Sequence, residues 1–538
     1  MERLLYHLPA ATTALALALG GAALYLSYCN YAYPFQRSRR LPLPPGPKPL
    51  PLLGNLFDLS PDFLWVGMTQ LAERFESDIV HLKTFGQSTI LVSSRRAAVE
   101  LLEKRSAKYS HRPRFPMILE VMGWNFFFAA IDYGDAWRIH RRFSNDTFHA
   151  QSLAQFTPHL DTAVHALLSR IREKPEDFMK HLRHMAGQII MNVTYGIDIQ
   201  PESDPYVLDA QRGVQILTRA SVPGAYLVDT LPILRYIPAW MPGARFKRRA
   251  QEWHEHLPIL TDKPFDEAKR RMDSGTAGYS ANLLASALSR IAESTTAGEQ
   301  AQYLEGIARG TCATMYIAGS DTTVVALSWV IAAMVLHPEI QKRAQAELDA
   351  VVGTARLPTL GDQADLPWVS ACVREILRWR PPAPMGMPHA LGPEDDEYGG
   401  YRIPAGAIIV SNIWAILHDP NDYPNPDAYK PERWLTPDGT RLNPAMDDPA
   451  GLPFGFGRRV CPGRHLAETS VWLATACMLA TFDIAKKVAP DGQVVEPVLE
   501  YDLGVLAGLK PFECSITPRV VMKEKRLGFE RSICVVQE

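Results

Sequence analysis

Cysteine is scarce in this sequence, with seven in 538 residues, and the number is odd. They lie singly at Cys29, Cys312, Cys372, Cys461, Cys477, Cys514 and Cys534, so no disulfide framework is expected and a reducing compartment is. Net charge is nearly absent too. Fifty-six basic residues against 58 acidic ones leave −2, which gives no footprint for nucleic acid. Glycine, at 35, is outnumbered by proline, at 43, and no triplet repeat joins them, which excludes collagen. Past Gly54 there is no internal repeat, no low-complexity tract and no break in composition. What is present is a globular mixture, 47% hydrophobic and 21% charged, which excludes a disordered chain. Length alone would suggest several domains. The unbroken pattern predicts one large, mainly helical domain with small strands.

The N-terminal end reads as an anchor over residues 1–33. From Leu8 to Tyr28 no residue is charged, and about 20 such residues cross a bilayer once as a helix. Arg3 precedes the run, whereas Arg37, Arg39, Arg40 and Lys48 follow it, which places the remainder in the cytosol. A cleaved signal peptide, with Ala22 and Ala23 offered to a peptidase, is the alternative; the length of the run and the cysteine usage argue against it. Cytosolic topology also makes the sequons at Asn145 and Asn192 chance matches. Residues 34–54 carry a proline-dense stretch from Leu41 to Gly54, read as a stiff extended hinge and not as a ligand for a proline-binding domain. The folded body is expected over 55–520 and a loose tail over 521–538. Within the body, Leu153–Arg172, Ala301–Leu336 and Pro338–Val352 have helical patterns, while the runs from Ile79 and Ile408 alternate as strands.

The chemistry concentrates in Pro453-Phe-Gly-Phe-Gly-Arg-Arg-Val-Cys-Pro-Gly-Arg-His-Leu-Ala-Glu468. Gly455, Gly457 and Gly463 let the backbone turn tightly and approach a flat partner. From Leu466 to Leu479 the apolar spacing is helical, so Cys461 falls just before a helix N-terminus among Arg458, Arg459 and Arg464. Free amides, the helix dipole and these cations are expected to favour thiolate. Four readings stand: an inert buried cysteine, a zinc ligand with His465, a nucleophile, and a single axial ligand to haem iron.

Phe454-x-x-Gly457-x-Arg459-x-Cys461-x-Gly463 resembles, at each fixed position, the haem-binding signature of the cytochrome P450 family. The resemblance extends from the proline-rich hinge to about Pro518. It implies a mainly α fold with small β-sheets and haem b held between two long helices, with Cys461 as axial iron ligand and Phe454 beside it. It also implies propionate contacts from Trp137, Arg141, Arg459 and His389. Glu375-Ile-Leu-Arg378 and Pro431-Glu-Arg433-Trp look like the family's Glu-x-x-Arg helix and its arginine partner, a buried ion network supporting the cysteine loop. In Tyr316-Ile-Ala-Gly-Ser-Asp-Thr-Thr, the resemblance assigns Gly319 to a local helix opening over the haem, and Asp321 and Thr322 to an acid–alcohol pair that delivers protons. Thr323 is the second choice for the hydroxyl.

By the same resemblance, three segments line the substrate cavity: Met122, Trp124 and Phe126 to Phe128; then Ala383, Met385 and Met387; then Gly504, Val505 and Leu506. All are uncharged, which suits a hydrophobic substrate such as a terpenoid or polyketide. The activity implied is a monooxygenase that uses dioxygen on the endoplasmic reticulum membrane. No dinucleotide fingerprint appears, so electrons are expected from a separate NADPH-dependent flavoprotein reductase. Arg138 and Arg142, one helical turn apart, are candidates for its docking patch. Haem-thiolate isomerisation or dehydration and a non-catalytic haem sensor are the competing readings; the Asp321–Thr322 pair argues against both.

Overall fold

Apolar residues at helical spacing, punctuated by proline and glycine, make this computed structural model mainly helical with small sheets at its edge. It describes residues 41–58, 63–222, 224–275, 281–294, 297–446, 449–502 and 505–519. The expected anchor, the first part of the hinge, the C-terminal tail and Gly504 lie outside the described residues.

Eight helices position the site, numbered here in chain order. They are α1 (Asp135–Phe148), α2 (Phe178–Tyr195), α3 (Pro205–Ala220), α4 (Arg245–His254), α5 (Leu257–Asp273), α6 (Glu299–Leu336), α7 (Pro367–Trp379) and α8 (Arg464–Thr481). At the centre is α6, which packs most extensively on α2 and also touches α1, α3, α5, α7 and α8. From Thr323 to Val335 it is buried on every side, as expected for a helix apolar all round. It is long and apolar enough to cross a membrane, yet 78% of its apolar window is inside the protein, so it is a core helix. It ends at His337 because Pro338 disfavours helical geometry in the residue before it.

Most buried apolar side chains form one continuous core that includes Trp124, Tyr316, Trp434 and Trp472. A smaller cluster seats the helix Leu64–Arg74 on the main sheet. That sheet orders its strands as Ile79–Thr84, Gln87–Val92, Ile408–Ser411 and His389–Ala390. The first pair is a hairpin closed by Phe85 and Gly86, both at positive φ (47° and 89°). The third strand runs parallel to the second.

Two boundaries differ from expectation. The helix predicted from Leu153 is a 3-10 turn up to Phe156, and α-helix begins only at Thr157, beside Pro158. The proline-rich hinge does not span free. Residues 41–54 lie against two strands: the His81 amide of the first donates to Pro45 O at 2.9 Å, and the Arg402 amide, on the strand Tyr401–Ile403, to Pro42 O at 2.8 Å. A Cβ at Gly46 would stand 2.0 Å from His81 O and one at Gly54 1.8 Å from Lys83 O, so these glycines permit backbone-to-backbone contact.

Candidate active site

Cys461 lies on the loop before α8, held by its own amide, which donates to Phe454 O at 2.8 Å. Gly457 takes φ +57°, and a Cβ there would sit 2.1 Å from Leu102 O, a backbone atom that cannot swing aside. From the far side α6 closes on the loop: a Cβ at Gly463 would lie 3.5 Å from Met315 Cε and 4.0 Å from Cys461 Sγ. The field at the sulfur is not what the sequence predicts. Burial pushes the thiol up, opposed by the Gly463 amide and by the charges of Arg141 and Arg464. Desolvation outweighs the local cations, so the protein alone does not make the thiolate. A coordinating metal would. His465 faces elsewhere, 3.1 Å from Arg464 Nε and 3.8 Å from Glu468. Among the described residues no three His, Cys, Asp or Glu side chains gather as a metal site, so the zinc reading finds no further ligands.

Around the loop the structure gathers buried cations. Arg459 donates to Ser110 O (2.8 Å) and Ile131 O (3.0 Å) and stacks 4.5 Å over the Trp137 ring, but its buried Nη1 has no partner. Burial pulls this guanidinium down to about 10, with Asp132 opposing and Arg141 adding to the shift. Arg141 donates to Val460 O. The third cation, Arg112, was not foreseen. It is buried, bonded only to carbonyls of Ala129, Met387 and Pro388, and driven well below the usual guanidinium range by burial and then by Arg459. In the sequence it is one arginine in a polar turn, with nothing to separate it from a solvated residue.

His389 is buried on the edge strand, and its Nδ1 donates to Tyr109 O at 2.8 Å. Burial lowers its pKa, so the neutral ring has spent its one donor. Arg112 lies alongside, and its charge adds to that lowering. Arg112 and Arg459 are buried and Arg141 is half-buried, all with mainly carbonyl acceptors, and a buried guanidinium so placed costs several kcal/mol unless an anion joins it. A flat cofactor bearing two carboxylates and a thiophilic iron meets that need. Gly455, at φ +83°, leaves open space where a side chain would stand. The residues present therefore fit haem.

The Glu-x-x-Arg helix forms a closed network. Glu375 accepts from Arg378 Nε (2.9 Å) and Nη2 (2.8 Å), Arg433 Nε (3.0 Å), Trp434 Nε1 (2.9 Å) and the Lys430 amide (3.0 Å). Arg378 continues to Leu417 O and Pro426 O. Neither Glu375 nor Arg378 has any exposed surface. Trp434 and the Lys430 amide are additions that charge spacing could not reveal.

On α6 the expected opening at Gly319 is absent: the helix is continuous from Glu299 to Leu336. Gly319 instead admits α2, since a Cβ there would stand 2.7 Å from Ile190 Cδ1. The hydroxyls of this stretch bond back into the helix, Thr322 Oγ1 to Ala318 O at 3.1 Å and Ser320 Oγ to Tyr316 O. Thr322 follows Met315 by nearly two turns and shares its face toward the cysteine loop. Thr323 is buried. Asp321 turns toward α2, 3.8 Å from Arg183 Nε. Burial pushes its carboxyl up, opposed by Arg183 and reinforced by Asp502.

The first candidate lining segment reaches α6, and the second and third meet each other. The Phe128 amide donates to Thr314 Oγ1 at 3.3 Å, and the Ala507 amide to Pro382 O at 2.9 Å. Trp124 and Phe126 lie 5.6 Å apart, and Phe128 stacks on His140 at 5.4 Å. Outside the loop, Arg138 and Arg458 flank the Tyr133 ring at 5.0 and 5.5 Å, and Arg142 is exposed nearby on α1.

This geometry agrees with what the chain is similar to. The cytochrome P450 family model matches residues 44–507. Cytochrome P450 monooxygenase 208 of Postia placenta is 40% identical over 506 residues, covering 94% of this chain and 96% of the relative. A cytochrome P450 monooxygenase of Armillaria gallica is 40% identical over 487 residues, covering 90% and 93%. Tryptamine 4-monooxygenase of Psilocybe cyanescens is 37% identical over 500 residues, covering 92% and 97%. The chain belongs to the cytochrome P450 family. It is a monooxygenase of that family, which works with a haem-thiolate cofactor, dioxygen and a redox partner.

Proposed function

We propose that this enzyme oxidises an uncharged hydrophobic small molecule, of terpenoid or polyketide type, in secondary metabolism. Bound haem b supplies the redox chemistry that activates dioxygen for insertion of one oxygen atom, the other leaving as water. Cys461 ligates the iron, and Phe454 packs beside it. Arg112, Arg141 and Arg459, with Trp137 beneath Arg459, hold the carboxylates; His389 fixes the segment from Tyr109 to Arg112 through the Tyr109 carbonyl. Thr322 orients water on the α6 face, and Asp321 takes up and passes protons, its carboxyl biased by burial toward the protonated form. Glu375, Arg378 and Arg433 keep the cysteine loop in register. Phe126, Phe127 and Phe128 exclude water.

Residues 1–33 anchor the enzyme in the endoplasmic reticulum membrane, the proline-rich segment 34–54 leads from the anchor onto the catalytic body, where residues 41–54 are bound in place, 55–520 form the cytosolic catalytic domain and 521–538 the tail. A separate NADPH-dependent flavoprotein reductase docks at Arg138 and Arg142. The observation that carries this reading is the set of buried guanidiniums beside Cys461 with an unpartnered Nη1 among them. One relative is named for tryptamine, an amine. The candidate lining residues named above include no carboxylate to pair an ammonium, which favours a neutral substrate here. Co-expression with a reductase under isotopically labelled dioxygen tests the reading. A product carrying one labelled oxygen supports it; a rearranged or dehydrated product without label contradicts it.

A further inference from the structure

Two of the candidate lining segments are tied to each other, and to α6, through one indole. Trp329 of α6 is buried, and its Nε1 donates to Ala507 O at 2.9 Å. The Ala507 amide donates in turn to Pro382 O at 2.9 Å. A single side chain therefore holds the residue that follows Leu506 and, through it, the residue that precedes Ala383. The approach is close: a Cβ at Gly508 would stand 3.3 Å from Val325 Cγ2, one turn before Trp329. From the other side the Trp414 amide, on the short helix Ile413–Leu417, donates to Pro384 O at 2.9 Å. The indole is itself supported. Arg380 carries its guanidinium 3.9 Å from the Trp379 ring, 5.2 Å from that of Trp329 and 5.3 Å from that of Trp414. Its Nη1 donates to Trp379 O at 2.9 Å, and its buried Nε has no partner among the described residues. Three indole faces take the place of a counter-ion. Tyr501 closes the group, 5.3 Å from Trp329.

We propose that Trp329 is a positioning residue for the oxidation. It sets the separation between the α6 face bearing Thr322 and the walls at Ala383–Met387 and Val505–Leu506, and so selects which part of a bound substrate is presented. The proposal rests on the substrate lining assigned to those segments above. Thr322 and Trp329 are nearly two turns apart on one helical face, about 10 Å along the axis. One rigid element thus carries both the hydroxyl and the post that holds the walls. Core packing would need only a ring at this position, which phenylalanine also offers. What the indole adds is a directional N–H, its only hydrogen-bonding group. Trp329 and Ala507 are both buried, so water does not compete for the bond. Without that donor Ala507 O is left to find another partner, and the wall shifts with it.

Trp329→Phe removes the N–H and keeps an aromatic ring. Benzothienylalanine in place of Trp329 removes the N–H alone and keeps the shape, which covers the case of a phenylalanine variant that does not fold. Difference spectra of the full-length haem protein would give dissociation constants for clotrimazole, whose aryl groups reach the walls, and for imidazole, which is too small to. Both replacements are expected to weaken clotrimazole by about tenfold and to leave imidazole within about twofold of wild type. A merely structural role would lower the thermal midpoint and the haem content without moving the ratio of the two constants. Leu506→Trp, which fills the wall itself, is expected to weaken clotrimazole as well. An unchanged ratio in the benzothienylalanine protein, with Leu506→Trp effective, overturns the role of Trp329. An unchanged ratio in every variant contradicts the lining assignment, and the proposal falls with it.

Discussion

Glu375 is fully buried and accepts from two arginines, an indole and a backbone amide, so its charge is balanced only as long as every partner stays. Glu375→Gln keeps the shape and removes the charge, leaving Arg378 and Arg433 uncompensated in the interior. The expected loss is about 3–5 kcal/mol, read as a lower thermal midpoint and poor haem retention; a midpoint equal to wild type would contradict the network's role. Arg112 makes the complementary case. Arg112→Gln removes one of three guanidiniums and keeps its carbonyl contacts within reach, so stability should hold while haem affinity falls in a haem-transfer assay. The two residues also mark what is legible at this scale. Glu375 and Arg378 show in the sequence because two opposite charges sit three apart in an apolar helix. Arg112 does not, because its meaning comes from Arg459, more than three hundred residues away in the chain.

At the scale of elements, the cysteine loop depends on backbone that only glycine can supply. Gly457 combines φ +57° with a carbonyl 2.1 Å from where its Cβ would be. Gly457→Ala must therefore move either the loop or the Val99–Lys104 turn that carries Leu102. Loss of haem incorporation is expected with most of the secondary structure intact by circular dichroism, whereas normal haem content would contradict the constraint. The central helix shows a different logic. The resemblance implied an opening at Gly319, but Ser320 and Thr322 return their hydroxyls to carbonyls one turn back, and the helix runs on. The glycine serves the contact with Ile190, a tertiary fact that no local propensity encodes. Likewise the proline-rich segment gives its extended form away in the sequence but not its bed along the first strand.

Across the whole molecule, helical periodicity was enough to anticipate a mainly helical chain, and the resemblance carried by the cysteine loop added the Glu-x-x-Arg helix with its arginine partner. Of the cations around that loop, Arg141 and Arg459 were expected there by resemblance and Arg138 and Arg142 as a docking patch, whereas Arg112 on the inner side and Arg458 beside Tyr133 on the outer side were not. Arg112, Arg141 and Arg459 face inward, and Arg138, Arg142 and Arg458 face outward around Tyr133. In the proposed reading, the outer set presents positive charge to an acidic electron donor. Reversing Arg138 and Arg142 to Glu should lower reductase-driven turnover, with a weaker dependence on salt, and spare peroxide-driven turnover; equal loss of both would sink the docking patch. All of this turns on the sulfur of Cys461. The most direct measurement is the carbon monoxide difference spectrum of the reduced protein, wild type beside Cys461→Ala. The account predicts the thiolate-ligated band in the wild type and its loss in the variant. A variant that keeps the band, or a wild type that never shows it, would contradict the assignment.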